Sequence, residues 1–172
     1  MKPYNETMPL LMLMRHGKSN WDGSWTTDHE RPLAPRGQRA ATRMGRFLTD
    51  TGHQPMVVIS STAERAAATA HLAIESGRWD CKVTLTRQLY DQGPEGVLEI
   101  VRNLDSTVKS TLVVGHNPTW TEITSLLVGG ANLRFPTAAI ACLEIEGGWS
   151  DVRPSNAILR WFVTPHLLET LS

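Results

Sequence analysis

The residues best suited to chemistry are an arginine and a histidine that end an apolar run, Arg15 and His16 in LMLMRHG. A second histidine, His116, ends another apolar run, LVVGH, and Arg65 follows a third, PMVVIS. Arginine binds phosphate through paired hydrogen bonds and stays charged at ordinary pH, while a neutral imidazole is a nucleophile. The four residues therefore predict a phosphate pocket that contains a nucleophilic histidine.

The elements that must position these residues are strands that alternate with helices. Apolar runs predict strands in LLMLM, PMVVIS, VTL and TLVV, and helical spacing or composition predicts helices in RGQRAATRMGRFLTDTG, AERAAATAHLAIESG, EGVLEIVRNL and TWTEITSLLVGG. AAIACLEI and NAILRWFV, separated by a turn-rich segment, predict an antiparallel hairpin. This order predicts an α/β fold, a three-layer α/β/α sandwich whose central sheet is mainly parallel and ends in that C-terminal hairpin.

One domain is predicted over residues 1–172, with 1–8 as an N-terminal extension, because the chain contains no linker and no repeat. In parallel sheets, ligands bind beyond the carboxyl ends of the strands. The strand ends that carry Arg15 and His16, Arg65 and His116 are therefore expected to meet at one edge of the sheet.

The predicted reaction is an in-line attack of His16 on phosphorus that gives a phosphohistidine intermediate. Arg15, Arg65 and His116, the last if protonated, would neutralise the phosphoryl oxygens. Gly17 has no Cβ and would let backbone come close beneath the imidazole ring.

The segments LMLMRHGKSNW, SSTAERAAATA and VVGHNP resemble the histidine phosphatase superfamily, also called the phosphoglycerate mutase-like family. The short chain, DHERPLAPRG and LVVGHNP are most similar to the SixA-type phosphohistidine phosphatases. The resemblance implies that Arg15, His16, Arg65 and His116 are the catalytic core of the pocket and that His16 is phosphorylated.

Further residues are candidates for substrate contact. We predict that Gly17, Ser19 and Asn117 bind substrate together with the two core arginines, although Ser19 could instead face water. Ser61 is either a helix cap or a phosphate contact. DHERPLAPRG is expected to organise the entry into the first helix, with Asp28 and Arg31 as a pair that stabilises the loop.

The sequence does not determine which residue is the general acid. Asp22, Asp91 and Glu95 are candidates, and Asp22 stands where the mutase branch carries a phosphate-contacting asparagine, which argues against mutase activity. A phosphate ester needs an acid to protonate its leaving alkoxide. A phosphohistidine releases neutral imidazole, whose conjugate acid has a pKa of about 6.5, and needs little such help. An unclear acid therefore favours phosphohistidine on a protein as the substrate.

The composition argues against a nucleic-acid-binding protein and against a membrane protein. The formal net charge is +0, from 17 basic and 17 acidic residues, and no basic tract is present, so no nucleic-acid partner is expected. No apolar run is long enough for a bilayer and MPLLMLM lacks a cleavage site, so a cytoplasmic protein without membrane contact is predicted. Cys81 and Cys142 are expected to be free thiols, and no spacing indicates a metal or a cofactor.

Three hypotheses remain open from the sequence. The first is a metal-independent phosphatase that acts on phosphohistidine protein through His16. The second is a phosphatase of the same superfamily that hydrolyses small phosphate esters. The third is a catalytically idle phosphate-binding or interaction module, although such a module would be expected to have lost the nucleophile or an arginine.

Overall fold

One mixed sheet forms the centre of the computed structural model, which describes residues 8–170. Its strands are β1 Leu10–Arg15, β2 Val57–Ser61, β3 Val83–Thr86, β4 Ser110–Gly115, β5 Ile140–Ile145 and β6 Ala157–Val163. They lie in the order β3-β2-β4-β1-β5-β6. The pairs β1–β4, β2–β4 and β2–β3 are parallel, and β5 is antiparallel to both β1 and β6. The predicted mainly parallel sheet with an antiparallel C-terminal hairpin is confirmed.

The helices are α1 Pro35–Asp50, α2 Glu64–Gly77, α3 Gln88–Asp91, α4 Gly93–Arg102, α5 Thr119–Leu127 and α6 Pro165–Thr170. The four long segments expected to be helical correspond to α1, α2, α4 and α5, with ends that differ by a few residues. The sequence did not predict α3 or α6. Both are too short to show the apolar periodicity on which helix prediction depends.

Helices cover both faces of the sheet, which explains why β1 is apolar at successive positions rather than at alternate ones. Leu11 and Leu13 are fully buried on the face that packs against α4 and α5. Met12 and Met14 are fully buried on the opposite face, against α1 and α2. The predicted three-layer sandwich is therefore observed.

The topology brings three strand ends together. Because β2, β4 and β1 are neighbours and run parallel, their carboxyl ends, at Ser61, Gly115 and Arg15, lie at the same edge. The residues that follow each strand are therefore neighbours in space although they are distant in sequence.

The predicted N-terminal extension falls mainly on residues 1–7, which lie outside the described residues. Within residues 8–170, no helix combines the length and the apolar character needed to cross a bilayer.

Candidate active site

His16 follows β1 and is only 7% exposed. Its Nδ1 lies 2.7 Å from the Gly17 carbonyl oxygen, which can only accept a hydrogen bond, so Nδ1 carries the proton. The lone pair is therefore on Nε2, to which Arg65 Nε donates at 3.3 Å. Gly17 thus determines the tautomer, and the unprotonated nitrogen, Nε2, accepts a hydrogen bond from a guanidinium.

Burial keeps both imidazoles neutral. Desolvation and the charges of Arg65 and Arg15 together lower the pKa of His16 to about 4, although the hydrogen bond to the Gly17 carbonyl acts in the opposite direction. Desolvation, with added repulsion from His16 and Arg65, lowers the pKa of His116 to about 3. His16 is therefore a competent nucleophile at pH 7. In the free protein His116 is a neutral group and not the cation considered from the sequence.

Ser61 positions His116. The Ala63 amide donates to Ser61 Oγ at 3.2 Å, and the same oxygen lies 2.9 Å from His116 Nε2. The His116 and His16 rings are 5.1 Å apart at an interplanar angle of 53°. Among the described residues, the buried His116 Nδ1 has no hydrogen-bond partner. If Ser61 donates to Nε2, Nδ1 carries the proton and can donate to an anion.

Close backbone packing supports the nucleophile from below. A Cβ on Gly17 would lie 2.7 Å from the Gly37 carbonyl oxygen, and one on Gly37 would lie 2.1 Å from the Lys18 carbonyl oxygen. The Gly17 amide donates to Thr69 Oγ1, which itself donates to the Arg65 carbonyl. The close approach expected at Gly17 is thus observed. Its amide is engaged by Thr69, so a substrate contact from Gly17 stays a prediction.

Arg65 is held by Asp28. Arg65 Nη1 donates to the Asp28 carbonyl oxygen at 2.6 Å, and Nη2 donates to its carboxylate at 2.9 Å. The Arg65 side chain is 6% exposed. Both terminal nitrogens are therefore directed towards Asp28, and Nε is the guanidinium nitrogen that faces His16.

Arg15 is positioned by a main-chain carbonyl. Arg15 Nη1 donates to the Phe135 carbonyl oxygen at 2.7 Å, and Asn117 Nδ2 donates to the same oxygen at 3.4 Å. Arg15 Nε is buried without a partner among the described residues, which is unusual for a guanidinium nitrogen. Desolvation lowers the pKa of Arg15. An anion beside Arg15 would satisfy the free nitrogen and offset the burial of its charge.

Ser19 joins a third arginine to the site. Arg31 Nη1 donates to Ser19 Oγ, and the Arg31 guanidinium also pairs with Asp28 Oδ1 at 2.7 Å. Ser19 is 5% exposed, so the alternative in which it faces water is wrong. The expected Asp28–Arg31 pair is confirmed, and Asp28 additionally bridges Arg31 to Arg65.

The three candidate acids are exposed. Asp91 pairs with Arg87 at 2.9 Å on an exposed surface, and Asp22 and Glu95 are also exposed. Among the described residues, none of the three is recorded in a hydrogen bond or ion pair with a residue of the site. Asp28 is the carboxylate that contacts it. Burial raises the pKa of Asp28, but the hydrogen bond from Arg31 and the charge of Arg65 outweigh that effect and hold the pKa below its usual value.

Tyr90 was missed by the sequence reasoning. Its ring lies edge-on to His116, with centroids 5.4 Å apart, and its hydroxyl lies 3.2 Å from Asp28 Oδ2. Tyr90 is on α3, which the sequence did not predict. No spacing motif connects it to the site, and its role depends on tertiary contacts.

The arrangement as a whole is suited to an anion. Within residues 8–170, no cluster of three or more histidine, cysteine, aspartate or glutamate side chains could hold a metal ion. The Arg31 and Arg65 guanidiniums bind one carboxylate, and the charges of Arg15, Arg31 and Arg65 all act on the neutral nucleophile. This composition matches the charge of a phosphoryl group.

The two imidazoles are expected to titrate far below pH 6.5 in the free protein, at about 4 for His16 and about 3 for His116. The unfolded chain then binds more protons than the native protein as pH falls below 6.5. The two groups therefore contribute their full stability above pH 6.5, and that stability is lost as the pH falls through about 4 for His16. NMR titration of the imidazole Cε1 protons, assigned with His16→Ala and His116→Ala, measures both values. A midpoint near 6.5 for His16 would contradict the buried, neutral nucleophile.

Comparisons with known proteins agree with this geometry. The sequence profile of the Histidine phosphatase superfamily (branch 1) matches residues 11–94, which include Arg15, His16 and Arg65. An uncharacterized protein of Mycobacterium tuberculosis is 37% identical over 164 residues, which cover 88% of this chain and 99% of the relative.

Two solved structures have the same fold. A Nakamurella multipartitia protein proposed to be the phosphohistidine phosphatase SixA is 30% identical, with a TM-score of 0.77, and the match covers 91% of this chain and 96% of that one. The protein histidine phosphatase SixA complexed with tungstate has the same TM-score of 0.77 at 23% identity, over 92% and 99% of the two chains. At the latter identity the likeness concerns the fold alone.

Proposed function

Because this chain belongs to the histidine phosphatase superfamily, whose members are phosphatases and mutases, we propose that it is a phosphatase that forms a covalent phosphohistidine on His16. We further propose that phosphohistidine on a protein is its substrate class. The observation that carries the proposal is the state of His16: a buried imidazole, neutral at pH 7, with the Nε2 lone pair beside the Arg65 guanidinium.

In the first step, His16 Nε2 attacks phosphorus and the bond from phosphorus to the leaving group breaks. Arg65 Nε donates to the attacking nitrogen at 3.3 Å in the free protein, and in the attack it exchanges this hydrogen bond for one to an equatorial phosphoryl oxygen, which releases the Nε2 lone pair. Arg15 and His116 each have one buried nitrogen that no described residue satisfies. Arg15 Nε can donate to the phosphoryl group, and His116 Nδ1 can donate to the same group in the tautomer in which Ser61 donates to Nε2. Donors preorganised in this way supply most of the catalysis in phosphoryl transfer.

In the second step, water attacks the phosphorus of phosphorylated His16 and the P–N bond breaks. The electron pair of that bond returns to Nε2, and the protons of the water leave with inorganic phosphate. The hydrogen bond from Nδ1 to the Gly17 carbonyl stabilises the imidazole ring in the required tautomer through both steps. Arginine supplies the positive charge, so the reaction is proposed to need no metal.

The substrate class is proposed from the carboxylates. Asp28 is held ionised between Arg31 and Arg65, so it has no proton to give. Asp22, Asp91 and Glu95 are exposed. A site without a protonated acid is poorly suited to release an alkoxide but can release imidazole. The likeness to the Nakamurella protein proposed to be SixA supports the same substrate class.

The experiment is a turnover assay with a chelator present throughout. It compares a phosphohistidine protein, phosphoramidate and a panel of alkyl and sugar phosphates, at equal enzyme concentration. We expect kcat/KM for the two P–N substrates to exceed that for the esters by at least about tenfold, and we expect the chelator to have no effect.

Other outcomes separate the remaining hypotheses. Preferential turnover of one ester would identify a small-molecule phosphatase that uses the same pocket. Binding of phosphate without turnover of any substrate would identify the idle module. Loss of activity with chelator, restored by a divalent ion, would contradict the arginine-based mechanism.

A further inference from the structure

The site includes an aromatic side chain that the reaction described above does not use. Tyr90 is half-buried, and its ring makes near-perpendicular contacts with two imidazoles: His116, at 5.4 Å between centroids and 82°, and His29, at 4.9 Å and 83°. His29 is itself anchored by Thr62 Oγ1, which lies 2.9 Å from its Nε2.

The Tyr90 ring is fixed at its outer end as well. The Tyr90 hydroxyl lies 3.2 Å from Asp28 Oδ2, the same carboxylate oxygen that accepts a hydrogen bond from Arg65 Nη2. The centre of the Arg65 guanidinium is 6.0 Å from the centroid of the ring. Tyr90 therefore contacts or approaches two groups that flank His16, and its ring is held mainly by the packing of His29 and His116, to which the hydroxyl adds a contact with Asp28.

The direction of the reaction favours a leaving group that departs past Tyr90. His16 is only 7% exposed, whereas Tyr90 is half-buried. In an in-line displacement the leaving group departs on the side of phosphorus opposite to the nucleophile. A leaving group that departs from a buried nucleophile towards solvent passes the more exposed residues that contact the site, and Tyr90 is one of them.

We propose that Tyr90 is a specificity-determining residue whose ring forms one wall of the subsite for the leaving imidazole of phosphohistidine. This inference rests on the proposed function. The ring already packs against two imidazoles, so a third is matched to it in size and chemistry. Until the P–N bond breaks, the imidazole ring of the substrate carries positive charge while its second nitrogen is protonated, which adds a cation–π attraction to the Tyr90 ring. The leaving oxygen of an alkyl phosphate offers neither interaction.

The test compares two substrates with the same scissile P–N bond, of which only one carries a ring. The quantity is the ratio of kcat/KM for a phosphohistidine peptide to kcat/KM for phosphoramidate. Tyr90→Leu is expected to lower this ratio about three- to tenfold, the range for loss of one aromatic pair. Tyr90→Phe keeps the ring and is expected to keep the ratio within about twofold of the wild type.

Gln88→Ala is the matched control, since Gln88 is on the same short helix and its side chain donates to Glu99 instead of to the site. It should leave the ratio unchanged. If Tyr90→Leu does not fold by circular dichroism, Tyr90→Met is judged by the same criterion, because it fills space without a ring.

An equal loss for both substrates in Tyr90→Leu would overturn the inference, because Tyr90 would then act on the phosphoryl group or on the fold. An unchanged ratio in that variant would also overturn it. Failure of the wild type to hydrolyse either P–N substrate would instead overturn the proposed function. This outcome is measured on the wild type alone, so it is distinguishable from a failure of the inference about Tyr90.

Discussion

Replacing His16 with alanine is expected to abolish turnover, with a loss of at least about a thousandfold in kcat, the scale seen when a covalent nucleophile is removed. His16 Nε2 carries the only lone pair of that ring, since Nδ1 donates to the Gly17 carbonyl. Alanine has no nucleophile, and its methyl group leaves Arg65 Nε without its partner. Labelling of the protein by a phosphate donor should be lost together with turnover.

His71→Ala is the control for this variant, because His71 lies on the exposed surface of α2 and is not part of the site. It should be labelled and should turn over substrate as the wild type does. A His16→Ala protein that turns over at close to the wild-type rate would show that the covalent mechanism is wrong.

Arg65→Lys is expected to lower kcat/KM by about tenfold to a thousandfold, or ~1.4–4 kcal/mol of transition-state stabilisation. The guanidinium makes three directed hydrogen bonds: Nε to His16, Nη1 to the Asp28 carbonyl and Nη2 to the Asp28 carboxylate. Lysine keeps the charge but has one nitrogen, so it cannot bind Asp28 and a phosphoryl oxygen in the same geometry. The measurement is kcat/KM on phosphoramidate and on one alkyl phosphate.

Arg87→Lys is the matched control, because the Arg87 side chain is 67% exposed and pairs with Asp91 outside the site. Exposed ion pairs contribute little, so kcat/KM should stay within about twofold of the wild type. An equal loss in Arg65→Lys and Arg87→Lys would contradict the role of Arg65.

The same assay tests the leaving-group argument with Asp22→Asn, Asp91→Asn and Glu95→Gln. Each is expected to reduce phosphoramidate turnover far less than Arg65→Lys does, because a nitrogen leaving group hardly needs an acid. If the substrate is an ester, one of the three should matter as much as Arg65. An acid variant that reduces phosphoramidate turnover as severely as Arg65→Lys would refute the preference for phosphohistidine.

The core of the site was predictable from sequence because it depends on few assumptions. Apolar runs predicted the strands, and parallel strands align their carboxyl ends. Once the chain was read as alternating strands and helices, Arg15, His16, Arg65 and His116 had to approach one another. The antiparallel hairpin was predictable for a similar reason, since two β-rich runs flank a turn-rich segment.

The rest depended on contacts between residues far apart in sequence, which no local pattern records. The sequence left Ser61 as either a helix cap or a phosphate contact. It could not show the contact of Ser61 with His116, because the two residues are 55 positions apart. The hydrogen bond between Tyr90 and Asp28 spans 62 positions. The protonation state of His116 depends on how deeply tertiary packing buries it, and the sequence could only treat its charge as conditional.

The most direct test of the central claim, a phosphoryl group carried by His16, is to quench the enzyme with alkali during turnover of phosphoramidate and to map the protein by peptide mass spectrometry. Alkali preserves a P–N bond, so the intermediate survives the workup. We predict one added phosphoryl group on the peptide that contains His16, acid-labile and absent from His16→Ala. A phosphoryl group on any other residue, or label that persists in His16→Ala, would contradict the account.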